Sequence, residues 1–423
     1  MSERLYQLIG EVNIPRMVKI RQQFEDNCIT NVSEVVRDHL ESPEILKTIT
    51  PGMRIALTAG SRPIQNIVLI LKTIVAFLSE QGACPFLVPA MGSHGGATSE
   101  GQVAVLKALG ITEESIGCPI LATMETVCVG HTALGQELHV DRFAYEADGI
   151  VVINKIRPHT GYSGTYGSGL LKMLAVGLGK QHGAAICHDK GAGFLEQYTT
   201  LLGQGILDWG KVLFGVGIVE NAYHQTYQIS VIPAAKIPET EALLYKKAHE
   251  LLPHLLFDDV AVLVLDEIGK NISGDGSDPY ITTRFATPYV TCDQSIQKVA
   301  VLDLSEETGG IMLGLGWADV CTKRLFAKSR LEESYVNAVT STILDGVRLP
   351  MILKNDYYAI SACIRCSVGV DRENIRMIRL KNTLQVYEIE ISESMLPDAR
   401  KHPRIEILSE PYELPFDQHG NLL

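Results

Sequence analysis

The chain has 423 residues, 46% hydrophobic and 20% charged, with a formal net charge of −12. That length exceeds what one hydrophobic core usually serves, so two domains are expected. The acidic balance and the lack of a dense Lys/Arg block argue against nucleic acid or anionic lipid as a partner. The first residues have no basic region followed by an apolar one, and even the apolar tract 64–78 is interrupted by Gln65, Asn66 and Lys72, so a soluble cytoplasmic protein with no membrane partner is expected.

Residues 1–50 read as a helical lead-in, with surface helices over 20–27 and 32–39. A regular pattern then begins. Residues 54–58 form a strand, Gly60-Ser61-Arg62-Pro63 a turn and 64–78 a helix, Pro63 being suited to its first position. Residues 84–89 form a second strand and 90–98 a loop, and Ser99 with Gln102 reads as a capping box opening a helix that ends before Gly110. A third strand, 149–154, delivers Lys155, Pro158, His159 and a glycine-rich loop. Strands alternating with helices predict a largely parallel sheet, whose carboxyl-end loops form the ligand crevice. Arg62, His94 and His159 each follow such a strand end.

The chain changes character near 251–259. The reading is therefore an α/β protein of two domains: 1–255, with a mostly parallel sheet, helical crossovers and the site, and 256–423, a smaller α/β domain closing over the crevice. In the second, strands are expected at 260–265, 299–302, 375–380 and 388–391, and a helix around 318–328. The nine cysteines are dispersed, and only Cys363 and Cys366 have redox or chelating spacing. Without a second pair they read as two semi-buried thiols.

Gly161, Gly164, Gly167 and Gly169, interleaved with Thr160, Ser163, Thr165 and Ser168, can offer successive donors to an anion, and a helix starting near Leu170 adds its positive end. This is neither a P-loop nor a dinucleotide fingerprint. Lys172, set between Leu171 and Met173, can either snorkel to solvent or act as a nucleophile in an apolar crevice, and composition leaves the two readings even. Lys180 reads as a solvated helix-end charge. His94 and His159 lie on glycine-rich loops suited to cavity exposure, where two imidazoles can serve opposite faces of one small substrate. His188 has no HExxH or cysteine set around it, so a metal there would need ligands from a bound organic molecule. His131, His139 and His182 suit surface roles. Arg62 offers a planar fork to a carboxylate or phosphate. Lys270 follows a strand of the second domain, and Asp275 and Asp278 could bind a cation without EF-hand spacing.

Taken together, Ser61-Arg62-Pro63, Gly92-Ser93-His94, Lys155 with Pro158-His159, the glycine run into Lys172, and His188 sixteen residues later resemble the nickel-dependent lactate racemase family. The resemblance extends to a second domain from about Asp266 that includes residues 316–322. It implies a nickel pincer nucleotide attached covalently at Lys172, cradled by Ser163, Gly164, Gly167, Ser168 and Gly169, with His188 as nickel ligand. It also implies His94 and His159 as the acid/base pair, Arg62 as the carboxylate binder and Lys270 as a second-domain catalytic lysine. Ala59 stands where the lactate enzyme has an acidic residue, and the glycine run is three residues longer, with Tyr166 in the added part. These departures point to a 2-hydroxy acid other than lactate.

The expected activity is racemisation or epimerisation of a 2-hydroxy acid by reversible hydride transfer. Expected partners are a small hydroxy-carboxylate substrate and the enzymes that make the cofactor, with a homo-oligomer left open. Two rivals remain: a Schiff-base enzyme using Lys172, such as an aldolase or dehydratase, and a non-catalytic nucleotide- or metal-binding protein.

Overall fold

The computed structural model of the chain describes residues 3–10, 12–290, 292, 294–341 and 343–423. It is a mixed α/β structure that divides into two compact units, Glu25–Leu252 and Met1–Phe24 with Pro253–Leu423.

The unit Glu25–Leu252 is built on a five-stranded sheet in the order Cys84–Pro89, Arg54–Ala59, Gly149–Lys155, Val212–Glu220, Thr226–Pro233. The first four strands run parallel and the last pairs antiparallel with Val212–Glu220. Their near-continuous apolar runs follow from burial on both faces. Successive residues serve opposite cores. Ala56, Val88, Ile150 and Val152 pack with Leu170 and Leu174 on one face, and Ile55, Leu57, Leu87, Val151 and Ile153 pack with Ile70, Leu71 and Ile74 on the other. Full burial of side chains such as Leu71 or Ile74 is worth roughly 1.5–3 kcal/mol each.

Two helix starts differ from the sequence expectation, each because a hydrogen bond is used elsewhere. The helix Ile67–Glu80 begins after Asn66, which has φ 62°, rather than at residue 64, because the Gln65 amide donates to Glu220 Oε1 at 2.8 Å. The helix Ser99–Ala108 is capped by Thr98, whose hydroxyl accepts from Gly101 N at 3.0 Å. Gln102 takes no part in a capping box, because its buried amide donates to Gly92 O at 2.8 Å.

The helix expected over 32–39 is present as Val32–Leu40, but no helix covers 20–27. Instead Met17–Gln22 is a strand, with Val18 and Ile20 buried and Lys19 exposed, the period-2 pattern of a strand. It pairs antiparallel with Glu388–Ser392 and Ile405–Ile407. The eight-stranded sheet of this unit runs Met351–Leu353, Val320–Thr322, Ile296–Leu304, Val260–Ile268, Met377–Leu380, Glu388–Ser392, Met17–Gln22, Ile405–Ile407. Its first five strands are parallel. The stretch expected as one helix over 318–328 is the strand Val320–Thr322 followed by the helix Lys323–Lys328.

Cys363 and Cys366 share the helix Asp356–Cys366, yet the first is buried and the second exposed. Burial pushes the Cys363 thiol well above its usual range, so it is an inert core thiol rather than half of a redox pair. No helix among the described residues is long and apolar enough to cross a membrane.

Candidate functional site

Four parallel strands of the unit Glu25–Leu252 deliver the candidate residues at their carboxyl ends, where an open α/β sheet presents its loops. After Arg54–Ala59 the chain turns at Gly60, where a Cβ would come within 3.1 Å of Met173 Cε, and then exposes Ser61, Arg62 and Pro63. Lys155 and Glu220, at the ends of the two neighbouring strands, brace that turn. Lys155 Nζ donates to Pro63 O at 3.1 Å and pairs with Glu220 Oε2 at 2.8 Å, while Glu220 Oε1 holds the Gln65 amide. Burial lowers the Lys155 pKa, Glu220 opposes this, and Arg157 and Arg62 lower it further, so Arg62 and Lys155 share one electrostatic environment. Replacing Glu220 with Ala strands the Lys155 ammonium and the Gln65 amide. A loss of about 1–3 kcal/mol is expected, read from the urea midpoint, with Glu220→Gln losing less because it keeps an acceptor for Gln65.

After Cys84–Pro89, the loop 90–98 carries His94, whose Nδ1 lies 2.6 Å from Ser61 Oγ. Gly95 has φ 67°, and a Cβ there would lie 2.5–2.7 Å from the Gly101 and Gln102 backbone, so only glycine fits this close approach. Beneath the loop, Gln102 Nε2 donates to Gly92 O and to His94 O at 2.8 and 3.3 Å. Its Oε1 accepts from Lys180 Nζ at 3.0 Å. Lys180 also donates to Pro89 O and pairs with Asp141 Oδ2 at 3.0 Å, and all three side chains are fully buried. Lys180 is therefore not the solvated helix-end charge expected from its polar neighbours. It is the core of a polar network under the His94 loop.

His159 follows the third strand. Tyr162 stacks on it, with ring centroids 4.2 Å apart, and the Gly161 amide donates to its Nδ1 at 3.0 Å. Burial drives its pKa well below the usual value, and Lys172, then Arg157 and His188, add to the effect. His188 is also lowered, by burial and then by Lys172. His159, Lys172 and His188 thus lie within mutual electrostatic reach. Both imidazoles are held neutral, the form that ligates metals.

Lys172 ends the short helix Leu170–Lys172, which continues as a π-helical turn, Met173–Leu178, and then as the helix Lys180–His188. Such wide turns are frequent at functional sites. Gly177 brings the π turn against the Ala90 backbone, where a Cβ would lie 2.7 Å from Ala90 O, and its carbonyl accepts from Gly92 N at 3.3 Å. The segment bearing Lys172 and the loop bearing His94 are therefore tied together.

The glycine run divides in two. Ser163, Gly164 and Thr165 are exposed. Ser168 is bonded in both directions to the Arg157 backbone, and a Cβ on Gly167 would strike Arg157 O at 2.4 Å. A Cβ on Gly169 would strike Glu241 Oε1 at 2.0 Å. Glu241 Oε2 accepts from Leu171 N at 3.0 Å, so this carboxylate, from the helix Ile237–Glu250, occupies the amide end that the sequence offered to an external anion. Glu241 is fully buried, its Oε1 has no hydrogen-bond partner, and burial pushes its pKa up to about 7 against the pull of the Leu171 and Leu170 amides. The sequence did carry its signal: Ile237, Glu241, Leu244, Tyr245 and Ala248 form one buried stripe at helical spacing.

Lys270 lies in the other unit, just after Val260–Ile268. Its amide donates to Thr308 Oγ1 at 3.0 Å and its Nζ to Asn337 Oδ1. Asp278 caps the short helix Pro279–Thr282. Among the described residues, the only group of three His, Cys or carboxylate side chains spaced to hold a metal is Cys128, His131 and Glu137. His188 has no such protein partner set, so a metal there requires donors from a non-protein group. A neutral imidazole close to a lysine is compatible with that arrangement.

Residues 8–189 match the family model of the lactate racemase N-terminal domain, a span that includes Arg62, His94, His159, Lys172 and His188. No curated protein matches the chain. Among solved structures, the lactate racemase apoprotein from Thermoanaerobacterium thermosaccharolyticum is similar at 14% identity and a TM-score of 0.49, covering 81% of this chain and 86% of that one. A protein from Thermotoga maritima is similar at 15% identity and a TM-score of 0.45, covering 84% and 94%. Over residues 8–189, then, the chain is homologous to the N-terminal domain of the lactate racemase family.

Proposed function

We propose that the chain is a racemase or epimerase of a 2-hydroxy acid, with a nickel pincer nucleotide tethered at Lys172 and ligated by His188. The observation that carries this reading is the shared environment of His159, Lys172 and His188 at the carboxyl edge of a parallel sheet, inside the region homologous to lactate racemases. When bound, that group supplies a reversible hydride acceptor. Within the glycine run, Ser163 and Gly164 are the exposed members that would meet its phosphate, while Gly167, Ser168 and Gly169 shape the loop from within. Arg62 holds the substrate carboxylate in its fork, and Lys270 is the proposed second-domain contributor.

The two histidines move the hydroxyl proton. With Nδ1 accepting from the Gly161 amide, neutral His159 carries its proton on Nε2 and starts as the donor to a substrate oxygen. His94, exposed and bonded through Nδ1 to Ser61, starts as the acceptor. The roles exchange for the opposite enantiomer.

The test is peptide mass spectrometry with nickel quantified on the same sample, after expression alongside the cofactor-making enzymes. A nucleotide-sized adduct on the Lys172 peptide with stoichiometric nickel is expected, and Lys172→Arg is expected to abolish both the adduct and the turnover of 2-hydroxy acids. An unmodified Lys172 without nickel, under conditions that load an authentic lactate racemase, overturns the reading. Borohydride trapping of a keto substrate on Lys172 would then indicate Schiff-base chemistry.

A further inference from the structure

A second cluster of ligand-type side chains lies on the two-stranded ribbon of Thr126–His131 and Glu137–Asp141. The function proposed above does not use it. The ribbon is antiparallel, with Cys128 opposite His139 and His131 opposite Glu137, and its register slips between Cys128 and Gly130. That slip matters chemically. In a regular strand, residues three apart point to opposite faces, but one extra residue restores Cys128 and His131 to the same face. Gly130, at φ 152°, supplies backbone that other residues rarely adopt. Glu137 and His139, two apart on the partner strand, share that face, while Leu138 and Val140 turn inward to the core.

The result is a convergence of donors. Cys128 Sγ, a His131 ring nitrogen and a Glu137 carboxylate oxygen lie within 4.8 Å of one another, and all three residues are exposed. A tetrahedral zinc ion with bonds of about 2.0–2.3 Å needs donors roughly 3.5 Å apart, which small side-chain rotations on an exposed ribbon supply. An outer layer is also in place. His139 Nε2 lies 2.8 Å from Glu137 Oε2, and its Nδ1 lies 3.0 Å from Thr126 Oγ1. His182, from the helix Lys180–His188, stacks on His139 with centroids 4.9 Å apart, and its Nδ1 lies 3.1 Å from the same hydroxyl. A carboxylate oriented by a histidine, itself oriented by a further group, is the support that metal ligands commonly have.

We propose that Cys128, His131 and Glu137 form a binding site for a zinc-type divalent cation, with His139 orienting Glu137 and the fourth position open to water or a small ligand. Thiolate, imidazole and carboxylate together select a borderline ion over magnesium or calcium, which prefer all-oxygen sites. Binding takes the proton from the Cys128 thiol and releases it to solvent.

The test uses the full chain, purified without the cofactor-making enzymes, stripped with chelator and titrated with Co2+. One equivalent is expected to produce thiolate-to-cobalt charge-transfer absorption, and Zn2+ is expected to displace it. Cys128→Ser should abolish the band, His131→Ala should weaken binding at least as much as His139→Ala, and His139→Ala should weaken it about 10–100-fold. His188→Ala should leave the band intact, separating this site from the one proposed for nickel. A titration with no charge-transfer band, a band that survives Cys128→Ser, or one that disappears in His188→Ala overturns the proposal. Circular dichroism of each variant verifies folding, since all three ligands lie on the solvent face.

Discussion

Lys180→Ala is expected to cost about 3–5 kcal/mol of stability, because it leaves the fully buried Asp141 carboxylate without its partner. The same substitution removes the donor to Pro89 O and to Gln102 Oε1. Asp141→Ala should cost a similar amount by isolating the ammonium. Much of each loss is the penalty for one buried charge left alone, so Lys180→Met combined with Asp141→Leu should recover most of the stability. Guanidinium unfolding midpoints of the single and double variants measure this. The double variant separates stability from site geometry: it still lacks the Lys180 bond to Gln102, so amide exchange at residues 92–94 should remain faster than in the parent. Single variants within about 1 kcal/mol of the parent would mean that the pair is hydrated and contributes little.

Glu241 should make stability fall as pH rises through neutrality. Its carboxyl titrates near 4.5 when unfolded and at about 7 when folded, because burial disfavours its charge. Below 4.5 it is protonated in both states and contributes no pH dependence. Between 4.5 and 7 the folded state holds a proton that the unfolded state has released, so unfolding becomes easier with each increment of pH. The full difference, reached above about 7, is on the order of 3 kcal/mol. Glu241→Gln keeps an acceptor for the Leu171 amide and removes the titration. The variant should therefore match the parent at pH 5 and exceed its stability at pH 8, as read from thermal or urea unfolding at both pH values. A constant offset across that range would show that Glu241 does not titrate there.

Those two residues mark where sequence reading runs out. The parallel strands were legible because burial on both faces leaves nearly unbroken apolar runs, as at Gly149–Lys155 and Val260–Ile268. The turns bearing Arg62, His94 and His159 were legible for the same reason, each following directly on such a run. Met17–Gln22 was misread because its partners, Glu388–Ser392 and Ile405–Ile407, lie at the far end of the chain. Lys180 was misread because its neighbours Gln181 and His182 are polar and exposed, while the groups that bury it, Asp141, Gln102 and Pro89, come from three other elements. The Cys128 and His131 pairing was hidden by a register slip, which spacing alone does not reveal.

The wide turn Met173–Leu178 also changes what the distance along the chain between Lys172 and His188 means. Those sixteen residues are not a fixed number of helical repeats, since a π turn is followed by Lys180 at φ 53° and then by an ordinary helix. Removing one residue from the wide turn would let it rewind as an α-helix and swing everything beyond it by roughly 100°. His188 would then point away from Lys172 with every residue of both elements unchanged. The segment works as a gear with one extra tooth, and its phase depends on its length as much as on its composition.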